Sequence, residues 1–126
     1  MKKMTYILNM VVFAIITQFA FADAPDWEYD PLAWQFTAAM TSVVTNEGVE
    51  LNDPADMLAA FDADGNVRGL AELFEDIPVP SSPWFGSNLW SMIIGSNNEG
   101  DVISFKYYDA SEDAVLDISE EYTFET

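Results

Sequence analysis

Trp34-Gln-Phe-Thr-Ala-Ala-Met-Thr-Ser-Val-Val44 decides the fold class. One set of alternate positions reads Trp34, Phe36, Ala38, Met40, Ser42 and Val44; the other reads Gln35, Thr37, Ala39, Thr41 and Val43. The period is two rather than 3.6, which predicts a strand with one buried face. The same reading extends outward from this stretch. Asn46-Glu47-Gly48 predicts a turn that lets Val49 and Leu51 pair back. Asp53-Pro54-Ala55-Asp56 predicts little more than one helical turn, with Asp53 as N-cap and Pro54 at the first position.

Met57–Phe61 reads as a well-buried strand, Asp62–Asn66 as a turn, and Val67–Leu73 as a returning strand. Glu75–Asn88, with Pro78, Pro80, Pro83 and Gly86, reads as a loop. Further strands are expected at Leu89–Ile94, Val102–Tyr108, Ala114–Ile118 and Tyr122–Phe124, separated by turns at Ser96–Gly100 and Ala110–Asp113. About seven short strands with turn signals every 8 to 12 residues predict an all-β chain. The expected architecture is an antiparallel β-sandwich, Ig-like or jelly-roll-like. Trp34, Phe36, Phe61, Trp90 and Phe105 are the expected core aromatics.

The N-terminus is read differently. Lys2 and Lys3 precede an apolar run that ends in Ala20-Phe21-Ala22, the pattern of a signal peptide cleaved after Ala22. Residues 1–22 are therefore assigned to targeting, and residues 23–126 to a single β-sandwich domain in the extracellular space, meaning the periplasm or cell surface of a bacterium. Of the four cations in the chain, only Arg68 and Lys106 remain in that domain, against all 22 acids. Such acidity excludes a nucleic-acid partner, which would need clustered Lys and Arg. It keeps a secreted domain soluble and suits a saline setting, where the repulsion is screened. The chain has no histidine and no cysteine, so no imidazole base, disulfide or thiolate metal site can be built.

Four segments together resemble an extracellular β-sandwich module that recurs in secreted and cell-surface proteins of marine and Bacteroidetes-type bacteria. They are Thr37-Ala38-Ala39-Met40-Thr41; Asp56-Met57-Leu58-Ala59-Ala60-Phe61 followed by Val67-Arg68-Gly69-Leu70-Ala71; Trp90 to Gly100; and Ile103 to Ser111. The resemblance covers about Trp34 to Phe124 and implies a surface-exposed sandwich module.

Several side chains are candidates for function. Asp62, Asp64 and Asn66 place oxygens at alternate positions, as Ca²⁺ loops do. The EF-hand template fails, because Val67 and Leu73 stand where it requires Gly and Glu. A Ca²⁺ site of another geometry and a plain hairpin turn are the two readings. Trp84 and Phe85, in a Pro/Ser loop, suit stacking on a surface glycan or docking on another extracellular protein; folding back as a cap of the sandwich is the alternative. Trp27 and Tyr29 could dock on a neighbouring subunit of a homo-oligomer, or seal the edge of their own core. Arg68 and Lys106, both on strands, are expected to pair with carboxylates. The turn carboxylates Asp53, Asp56, Glu99, Asp101, Asp109, Glu112 and Asp113 would make a hydrolase only if two of them converged on one substrate. The reading is a non-enzymatic module for binding or assembly at the cell surface, with no required cofactor. The alternatives are a subunit of an extracellular filament or layer, a carbohydrate-binding module and, last, a carboxylate hydrolase.

Overall fold

The computed structural model describes residues 24–125. The signal segment assigned to residues 1–22 lies outside the described residues. The alternating stretch around Met40 forms β1 (Phe36–Ser42), preceded by a 3-10 turn at Pro31–Ala33 that Asp30 caps. Thr45–Asn46 (β2) and Val49–Glu50 (β3) make a two-stranded hairpin. Its turn needs positive φ at Glu47 (51°) and Gly48 (82°), and a glycine meets the second requirement without strain.

Then come β4 (Met57–Phe61), β5 (Val67–Leu70), β6 (Glu72–Phe74), β7 (Leu89–Ser96), β8 (Val102–Asp109) and β9 (Ala114–Thr123). Two antiparallel sheets result, ordered β1-β7-β6 and β5-β4-β8-β9. This is the expected all-β, sandwich-like architecture.

The core follows from the period of two. In the first sheet Ala38, Met40 and Ser42 stand opposite Ile94, Met92 and Trp90. In the second, Leu58 and Ala60 stand opposite Tyr107 and Phe105. These inner faces meet, and the Trp90 and Tyr107 rings contact edge to face at 5.6 Å between the sheets. Gly69 permits the close approach: a Cβ there would lie 2.7 Å from Met92 Sδ and 2.8 Å from the Ile93 carbonyl. Phe61, Trp90 and Phe105 are buried as expected. Trp34 is half-buried against Gly95, and Phe36, at the open end of β1, is exposed, so it belongs to the surface and not to the core.

Two strand boundaries differ from the sequence reading. The expected single strand Val67–Leu73 changes sheets at Ala71: β5 pairs with β4, and β6 pairs with β7. Conversely, Ala114–Thr123 is one strand, because a register irregularity opposite Ser104–Lys106 carries it past Ser119-Glu120-Glu121.

Candidate functional site

The Asp62–Asn66 turn is organised around a buried cation. Asp62 Oδ1 accepts from the backbone N–H groups of Asp64 (2.9 Å) and Asn66 (2.9 Å), while Oδ2 accepts from Asn66 Nδ2 (3.1 Å) and Arg68 Nε (2.9 Å). Burial acts to raise the Asp62 carboxyl, but the hydrogen bonds from Asn66, Asp64 and Arg68 outweigh it and hold the group below its ordinary value. Arg68 also donates from Nη1 to the Gly95 carbonyl (3.1 Å) and from Nη2 to Asp101 Oδ2 (3.1 Å). Its guanidinium lies 4.4 Å from the Trp34 ring centroid. The Ser96 hydroxyl donates to the same Asp101 oxygen (2.7 Å), and this bond, followed by that of Arg68, holds Asp101 below its ordinary value.

The arrangement ties β5 to the end of β7 and to the turn before β8. A metal ion at this turn would have to displace the guanidinium from Asp62. Among the described residues, no three carboxylates form a group that could hold a metal ion.

A second buried bond fixes the opposite end of β8. Asp56 accepts from the Tyr107 hydroxyl (2.6 Å) and from the Ala110 N–H (2.8 Å). Burial first, and this bond second, push the Tyr107 phenol far above its ordinary value. Lys106 pairs with Asp117 across β8 and β9 at 2.6 Å, but on the surface, where such pairs contribute little.

Trp84 and Phe85 remain about half exposed, at 48% and 57%. Their loop is braced from within: Ile77 N–H donates to Ser87, Gly86 N–H to Ile77, Ser87 N–H to Trp84, and Asp76 N–H to the Asn88 side chain. Trp84 shares a hollow of about 160 Å³ with Thr41, Ser42 and Val43 at the end of β1. Trp27 packs edge-on against Phe61 of its own chain at 5.2 Å. The Tyr29 hydroxyl is buried without a hydrogen-bond partner, and burial, with Asp30 second, raises its phenol.

A cleft of about 570 Å³ lies between the outer strands of the two sheets. Met40, Ser42 and Val44 form one wall, Leu116, Ile118 and Glu120 the other, and Leu58, Phe105 and Tyr107 the floor. None of the sequence candidates lies in it, although Trp84 reaches the same end of β1.

The charge distribution is the feature that the linear reading missed. Pro31–Asn46 and Ile77–Asn98 contain no Asp, Glu, Lys or Arg. These two stretches hold β1, β7 and the Trp84 loop, and β1 pairs with β7 along its whole length. The fold therefore sets the outward residues of β1 beside Ser91 and Ile93 of β7, with Glu72 of β6 at the margin of the patch. The signal was present in the sequence as two gaps between acids, but only strand pairing makes them one patch. Comparison of the chain with protein-family models, curated proteins and solved structures finds no match.

Proposed function

We propose that the protein is a secreted, non-enzymatic β-sandwich module that works by binding or assembly at the cell surface. The observation that carries this reading is the charge-free surface formed by β1, by Ser91 and Ile93 of β7 and by the Trp84 loop, in a chain with 22 acids. Like-charged carboxylates keep molecules apart. A macromolecule can meet the bare surface without desolvating any of them, and charge-depleted patches with exposed aromatics are the composition of interface centres. The exposed rings of Trp84 and Phe85 on a braced loop also favour a second reading, stacking on a surface glycan.

Size-exclusion chromatography with negative-stain microscopy reads assembly, and a glycan array reads sugar binding. Both are run on the wild type, Trp84→Ala and Thr41→Glu. The expected result is activity of the wild type in one assay and its loss in at least one variant. A wild type that stays monomeric, leaves the array blank and binds no peptide refutes the reading.

A further inference from the structure

β1 ends one sheet, β9 ends the other, and the cleft opens between them. An edge strand leaves half its backbone N–H and C=O groups without a ladder partner, and natural sheets shield such edges with charge, proline or bulges. β9 is shielded by Asp117, Glu120 and Glu121 and carries an irregular register. β1 has none of these protections: Phe36-Thr-Ala-Ala-Met-Thr-Ser42 is uncharged, lacks proline and pairs with β7 in unbroken register.

We propose that the β1 edge takes up an extended segment of another polypeptide, which adds a strand to the sheet, sends alternate apolar side chains into the cleft and carries Lys or Arg at the positions between them. This rests on the binding reading above and names its partner class. Backbone pairing at an edge requires an extended partner. The floor of Leu58 and Phe105 is apolar, and a strand directs every second side chain to one face, so the segment must alternate. Glu120 lines the β9 wall of a molecule whose formal charge is −18, so charge complementarity selects a basic segment and rejects an acidic one. It also disfavours a second copy, which carries the same net charge.

The test uses the purified protein and a ten-residue synthetic peptide of alternating Val and Lys. Gly–Lys and Val–Glu peptides of the same length serve as controls, with binding read by calorimetry and by amide hydrogen exchange. The Val–Lys peptide is expected to bind at least about tenfold more tightly than either control, the effect of roughly one buried aliphatic side chain. Exchange should slow along Phe36–Ser42. Glu120→Lys, at an exposed site, should weaken binding about threefold, as loss of a rim ion pair does. Equal binding of the Val–Lys and Gly–Lys peptides would reveal unspecific attraction to acids and overturn the proposal. So would unchanged exchange in β1, or equal binding of the Val–Glu peptide. Self-association through β1 that strengthens with NaCl would assign the edge to a second copy and overturn it too. If the peptides fail while the glycan or assembly assay succeeds, this inference falls and the binding reading stands; if all fail, both fall.

Discussion

Arg68→Ala tests the account of the fold at its most connected side chain. The residue is 7% exposed, and its truncation removes three donated hydrogen bonds and the contact with Trp34 at once. Breaking a buried ion pair from one side costs about 3–5 kcal/mol, because the remaining charge is left unpaired. Here that range is an upper bound. Asp62 keeps its other three donors, and Asp101 keeps Ser96 and is 25% exposed, so neither carboxylate is stranded. We expect a loss of about 3 kcal/mol, which at this chain length lowers Tm by about 12–24 °C. Urea titration followed by tryptophan fluorescence, with thermal melts at pH 7, measures it. Arg68→Lys keeps the charge but cannot reproduce the planar fork that reaches Asp62, Gly95 and Asp101 together, so it should recover less than half of the loss. An Arg68→Ala protein within about 0.5 kcal/mol of wild type, the range of an ordinary surface change, would refute the claim that Arg68 pins β5 to β7.

Tyr107→Phe takes the hydroxyl donor from buried Asp56 and should cost about 1–3 kcal/mol, read as a lower urea midpoint at unchanged slope. Because Asp62 and Asp101 are held below the ordinary value of 3.8, the stability they give is complete above that pH and is lost as pH falls through their folded values; the thermal midpoint should drop steeply below it, and less so in Arg68→Ala. NaCl should raise the midpoint by screening the −18 charge. Since Asp62 already accepts four hydrogen bonds, CaCl2 at equal ionic strength should match NaCl, and a larger shift would place a cation in the turn. Gly69→Ala forces a methyl against Met92 and the Ile93 carbonyl and should cost about 1–3 kcal/mol in the same titration.

What was legible in the sequence is what depends on near neighbours. The alternation through Met40 marks β1, and the Asp62–Asn66 and Ser96–Gly100 turns fall where their residue types put them. The change of sheet at Ala71 was not legible, because Val67–Leu73 keeps one apolar pattern while its halves choose β4 and β7, partners far apart in the chain. Ser119-Glu120-Glu121 read as a break, yet an edge strand tolerates polar residues on both faces where one side meets water. Phe36 has the parity of a core residue but lies where the sheet ends. Pairing of Arg68 with carboxylates was expected; which carboxylates was fixed only by the packing of β5 against β7.

The charge-free surface raises the question of whether folding alone demands it. It does not. β9 is also an edge strand in the same sandwich, carries Asp117, Glu120 and Glu121, and still pairs with β8 on both sides of its register irregularity. The positions of β1 and β7 that face away from the core and reach the surface, Thr37, Ala39, Thr41, Ser91 and Ile93, could hold carboxylates on the same physical terms. In a chain where about one residue in six is acidic, they hold none. Shielding the edge of one sheet and leaving that of the other bare is what a sandwich needs if a strand is to be added to one sheet and refused by the other. The asymmetry between β1 and β9 therefore supports a role for the β1 edge in contact, independently of the apolar cleft beside it.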